Sequence, residues 1–156
     1  MLWSIRVTLK AQILGWRVFL NKLPTKDNLL MRGSNYNSLC DLCNAHEETT
    51  NHLFFSYRVT QMVWNMCDSW LRVCIVHHIK VRTNFQHFYL FYLNSRQNLA
   101  WWGMWLAIIG EIWNHRNGVI FKQRKVDLIE IFSHARMVAW VWMKHKISVV
   151  MFSYSD

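Results

Sequence analysis

The chain has 156 residues, enough for one domain or for one small domain with an appended unit, and its 53% hydrophobic fraction with 10 Trp, 9 Phe and 5 Tyr excludes a disordered polymer. Eighteen Lys and Arg against nine Asp and Glu leave a formal net charge of +9, which favours an acidic partner such as nucleic acid or an anionic membrane surface. The basic residues are dispersed, with one compact run at Lys122–Lys125, so no solvated basic tail is present.

The first residues, M-L-W-S-I-R-V-T-L-K, carry basic side chains and lack both a clean apolar run and a small-residue cleavage site. An intracellular setting, nucleus or cytoplasm, follows as the expectation, and with it reduced thiols at Cys40, Cys43, Cys67 and Cys74. Ile13, Leu14, Val18 and Leu20 predict a first helix ending near Asn21, before Pro24. Thr25 can cap a second, short helix with Asp27 in its first turn and Gly33 after Arg32 as its stop. Ser34 to Asn51 is polar and irregular; a third helix is expected to start at Thr49 or Thr50 and to run unbroken to Val73.

Residues 75 to 97 mix β-branched and aromatic residues with His77, His78 and His87, and predict only weak helix. Leu99 to Ile109 is apolar but far short of the roughly 20 residues that span a bilayer, so it reads as a buried helix and no transmembrane span is expected. Trp101, Trp105, Ile108, Ile112 and Arg116 keep helical spacing, with Asn117-Gly118 as the predicted stop and Trp101, Trp105 and Trp113 as core. Asp127 with Glu130 resembles a capping box before a last helix over 128 to 146. Domain boundaries are placed at 3–75, 76–98 (a connecting segment) and 99–147 (a helical pair).

The chemistry concentrates in C-x2-C-x8-H, at Cys40, Cys43 and His52. A C-x-x-C turn lets two thiolates face one point, and a histidine at the start of the next helix can return an imidazole to it, three of the four tetrahedral donors a structural zinc requires. The usual fourth position, H-x4-C, holds Tyr57. A phenol is a poor ligand beside a thiolate, which leaves water, His46 or Cys67 to complete the set. Cys67 lies ten residues beyond Tyr57, about 15 Å along a helix, so His46 is the better substitute. Cys67 and Cys74 read as core or free thiols, and His77 and His78 as surface histidines. The expected fold class is mainly α: a small helical domain with an irregular, zinc-knuckle-like loop inserted between helices.

Taken in order, Trp3 to Lys10, W-R-V-F at Trp16–Phe19, K-L-P-T-K-D-N-L-L-M-R-G at Lys22–Gly33, Cys40 to Tyr57 and Val63–Trp64 resemble the zinc-binding domain that follows the reverse transcriptase in plant non-LTR, LINE-type retrotransposons. W-x3-W-x7-W-N-H-R-N-x3-F at Trp101–Phe121 is similar to the segment that often follows that domain. Tyr57 departs from the family's cysteine, and Thr8 stands where a proline is common. The resemblance implies zinc as cofactor, a non-catalytic accessory role beside the polymerase, contact with nucleic acid and a full-length reverse transcriptase as a further partner. Lys22, Lys26 and Arg32 could hold a phosphate backbone, with Arg124 and Lys125 as a second contact, giving salt-dependent binding poor in sequence information. The scattered acids offer no Asp-Asp pair to hold magnesium, so the polymerase itself is expected to be absent and the chain to be a detached piece of a retroelement protein. Two other readings stand beside this one: a helical module that docks a protein or membrane surface without metal, and an unselected, decaying reading frame.

Overall fold

The computed structural model describes residues 2–5, 7–35 and 37–146. The elements are α1 (Leu9–Phe19), α2 (Lys26–Met31), α3 (Arg58–Leu71), α4 (Val81–His87), α5 (Ser95–Lys122) and α6 (Leu128–Lys146), with a 3-10 turn at Leu2–Ser4 and a π turn at His52–Ser56. Among the described residues there is no strand, only a bridge between Leu39 and Glu47. The mainly α fold with an irregular loop between helices is as expected; residue 147, the last of the third predicted segment, lies outside the described residues.

The Thr8 hydroxyl accepts from the Ala11 amide at the start of α1. The helix stops at Phe19, two residues before the predicted end, because Asn21 turns left-handed at φ 50°. The buried Asn28 carboxamide then donates to the carbonyls of Asn21 and Leu23 and fixes the K-L-P turn. Thr25 does not cap α2 as expected: its hydroxyl donates to Asp27, and the first amides of α2 are taken by Glu48, Lys26 N–H by the carboxylate and Asp27 N–H by the carbonyl. Gly33, at φ 85°, ends α2 as predicted.

The third predicted helix is broken. Tyr57 is extended (φ −68°, ψ 130°), so the chain makes one π turn and then starts α3 afresh at Arg58. Within 75–97 only α4 is an isolated helix, while α5 already begins at Ser95 through a capping box of Asn94 and Gln97. Nor does α5 stop at Asn117-Gly118. The left-handed residue is Gln123, and Gly118 instead makes room for Arg124, whose Cδ would stand 2.8 Å from a Cβ there. At 28 residues α5 is about 42 Å long, and every residue from Trp101 to Ile109 is buried.

Helix α6 lies along α5 and touches α3, while α1 lies on α5. Trp105, fully buried, stacks near Phe19 and Phe55 and meets Phe85 edge-on, and its indole donates to Asn84 Oδ1 at 2.9 Å. One continuous core runs from Ile5 to Ala139 and draws residues from all three predicted segments. Trp101 and Trp105 belong to it, whereas Trp113 is half-buried and carries the Arg116 guanidinium 5.0 Å from its ring centre. No helix among the described residues is long and apolar enough to cross a membrane.

The α5–α6 junction depends on an uncharged histidine. Asp127 caps α6 by accepting from the Ile129 and Glu130 amides, and its own amide donates to Nε2 of His115 at 3.1 Å. Glu130 does not reach back as a full capping box would require; it pairs with Arg124. Burial lowers the His115 pKa, against the opposing pull of Glu130, Asp127 and Glu111 and with the help of Arg124. A histidine depressed in the folded state binds fewer protons there than when unfolded. Its stabilising contribution is therefore complete above the ordinary histidine pKa of about 6.5 and is lost as pH falls through the lower folded value. Urea titrations of wild type and His115→Ala are accordingly expected to differ by about 1 kcal/mol near pH 8, and the gap is expected to narrow towards pH 5.

Candidate metal centre

The bridge between Leu39 and Glu47 brings two short antiparallel arms together, with Cys40 N–H donating to the His46 carbonyl and Glu48 N–H to the Ser38 carbonyl. Between the arms the chain turns through Asn44, left-handed at φ 52°, whose amide donates to the Cys40 carbonyl at 2.8 Å. Both sulfurs of the C-x-x-C thus sit on one tight loop. His52 enters from the following π turn.

The Sγ atoms of Cys40 and Cys43 and a ring nitrogen of His52 all lie within 4.8 Å of one another, and Cys43 Sγ is 3.4 Å from His52 Nε2. Zinc–sulfur and zinc–nitrogen bonds of about 2.3 and 2.0 Å in a tetrahedron put sulfur and nitrogen about 3.5 Å apart, so these donors fit zinc. The other ring nitrogen, Nδ1, faces Ser56 Oγ at 3.4 Å, which orients the ring with Nε2 towards the sulfurs. Burial raises the Cys40 thiol to about 11, against the Leu42 and Cys43 amides, which favour the thiolate; a bound dication would supply the missing positive charge. The His52 pKa is lowered, first by burial and then by His46.

Tyr57 belongs to this neighbourhood although it cannot replace a thiolate. Five residues along an α-helix would point about 140° away from His52. The π turn admits one more residue per turn, marked by Tyr57 N–H donating to the His52 carbonyl, and swings Tyr57 back to a ring separation of 6.0 Å. Its hydroxyl donates to the Leu42 carbonyl at 3.3 Å, and burial, then the charge of Cys40 and Cys43, raises its pKa. The phenol therefore braces the loop as a neutral donor. His46, exposed on the same loop, has Nδ1 4.0 Å from Cys43 Sγ and its ring stacked 5.4 Å from that of His52.

Beneath the loop lies a buried ion pair that sequence reading missed. Glu48, with no exposed surface, accepts from Arg116 through both carboxylate oxygens, at 3.2 Å from Nε and 2.5 Å from a terminal nitrogen, and also from Lys26 N–H. The only sequence signals were an acid beside the metal motif and an arginine on the apolar stripe of the long helix. Among the expected nucleic-acid contacts, Lys26 is buried, with Nζ 2.6 Å from Asp41 and 3.0 Å from Asn37. Lys22 and Arg32 are exposed neighbours, Arg32 reaching the Lys22 carbonyl, while Lys125 is exposed and Arg124 leans on Glu130. Cys67 is buried in α3 apart from the triad, and Cys74 is an exposed free thiol. His77 is not a surface residue: its Nε2 is 2.8 Å from Asp68 and its ring packs on Trp64.

Residues 1–64 match a family model described as zinc-binding in reverse transcriptase. The matched stretch contains the triad and its loop, and the match supports a reverse transcriptase zinc-binding domain over those residues. No curated protein and no solved structure gives a significant match.

Proposed function

We propose that the chain is a non-catalytic, zinc-binding accessory unit of a reverse transcriptase of the plant LINE-type, non-LTR class, acting in the nucleus or cytoplasm beside the full-length enzyme. The observation that carries this reading is the convergence of Cys40, Cys43 and His52 inside the matched segment. Bound zinc would tie the two loop arms to the π turn as a closed structural site. Cys40 and Cys43 supply thiolates, Ser56 keeps His52 turned inward, and His46 takes the fourth position that Tyr57 cannot fill. Lys22 and Arg32, with Lys125, offer phosphate contacts; Lys26, taken up by Asp41, acts inside the fold.

The test is zinc content and affinity of the purified chain. Wild type is expected to hold about one zinc per chain, and His46→Ala to weaken binding roughly a hundredfold, since about 10–16 kcal/mol shared over four ligands is roughly 3 kcal/mol each. A wild type that stays metal-free after refolding in zinc would refute the reading; an unchanged affinity in His46→Ala would remove His46 from the ligand set.

A further inference from the structure

From Ser69 to Gly110 the sequence contains no Asp or Glu, while Arg72, Lys80, Arg82 and Arg96 fall within it. The acid just before this stretch, Asp68, is held by His77 at 2.8 Å. Inside it, the loop after α4 presents Phe91, 93% exposed, Tyr92, 72% exposed, and Tyr89, 37% exposed. Rings of this size are normally buried, and an exposed cluster of them on a cationic surface calls for a partner.

The loop is also built to hold its shape. Asn98, buried on α5, accepts from the Leu90 amide and donates to the carbonyls of Leu90 and Leu93 at 3.0 to 3.1 Å. A second buried asparagine, Asn84, takes the Trp105 indole N–H and donates to the His78 carbonyl, pinning the preceding extended segment to α4. Tyr89 meets Phe91 edge-on at 5.3 Å and leans on Trp102 at 5.8 Å. The rings therefore stand outward on a braced loop, with Lys80 and Arg82 exposed at the start of the helix that leads into it.

We infer that this surface, outside the matched segment and separate from the metal loop, binds single-stranded nucleic acid. Unpaired bases stack on Phe91 and Tyr92, and phosphates lie along Lys80 and Arg82. Charge complementarity selects a polyanion, and flat exposed rings select one with accessible faces, which a duplex keeps inside its stack. The inference rests on the nucleic-acid part of the proposed function but not on zinc.

The experiment is fluorescence anisotropy of the full chain with a labelled single-stranded oligonucleotide, a duplex of the same sequence, and sedimentation with vesicles of anionic lipid. Phe91→Ala/Tyr92→Ala is expected to raise the single-strand Kd at least tenfold, at about fivefold or more per lost ring, with its circular dichroism and melting temperature unchanged. Lys80→Gln/Arg82→Gln is expected to weaken binding and to flatten its salt dependence. Tight single-strand binding that Phe91→Ala/Tyr92→Ala leaves intact would overturn this surface while sparing nucleic-acid binding elsewhere. Failure of wild type to bind any oligonucleotide at low salt would overturn both, and retention on anionic vesicles that depends on Phe91 and Tyr92, without oligonucleotide binding, would assign the surface to a membrane instead.

Discussion

Arg116→Met is expected to destabilise the chain by about 3–5 kcal/mol, because it leaves the Glu48 carboxylate buried without its counter-charge. For a chain of this length that is a fall in melting temperature of roughly 6–20 °C. The methionine fills much of the arginine's volume, so little of the cost comes from a cavity. Glu48→Gln alone strands the guanidinium, which cannot shed its proton, and is expected to cost a similar amount. The double variant Glu48→Gln/Arg116→Met should recover most of the loss, since the new amide oxygen still accepts from Lys26 N–H. A double variant as unstable as the sum of the two singles would contradict the assignment. The effect should also reach the metal loop. Glu48 N–H closes the arms on Ser38, and its carboxylate holds α2, so the Arg116→Met variant is expected to bind zinc more weakly although Arg116 lies 68 residues further along the chain.

This coupling marks where reading the sequence ran out. Helical spacing found the buried face of α5 and the extent of α6, and ligand spacing found Cys40, Cys43 and His52, because both depend on local periodicity. What escaped is what distant residues decide together. Thr25 had the chemistry of a cap but lost its place to Glu48, which reaches α2 from beyond the metal loop. Asn117-Gly118 reads as a stop, yet its glycine serves the packing of Arg124 and the helix runs on. His77 sits in an acid-free stretch of mixed β-branched and aromatic residues, and only the fold shows that Asp68 and Trp64 enclose it. The π turn has no residue signature of its own. A strict H-x4-Y spacing reads as a little over one α-helical turn, and the extra residue emerges only from the hydrogen bond between Tyr57 and His52.

That same turn sets the strongest test of the metal centre. Tyr57→Cys is expected to tighten zinc binding and at the same time to make His46 dispensable. The π turn already aims position 57 at the loop, 6.0 Å ring to ring from His52, so a thiolate there is on the side of the chain that faces the ligands. The exchange gives up the hydroxyl bond to the Leu42 carbonyl, about 1 kcal/mol, against a ligand contribution of roughly 3 kcal/mol. His46→Ala should then cost roughly a hundredfold in zinc affinity when Tyr57 is present and only a few-fold in the Tyr57→Cys background, because a closed tetrahedral set has no room for a fifth donor. The non-additivity is the measurement: equal losses in both backgrounds would mean that His46 and position 57 do not share a coordination place. If instead zinc appears only with Tyr57→Cys, the loop keeps the geometry of a metal site whose affinity was lost with a single side chain, and that geometry does not depend on the phenol's bond to Leu42.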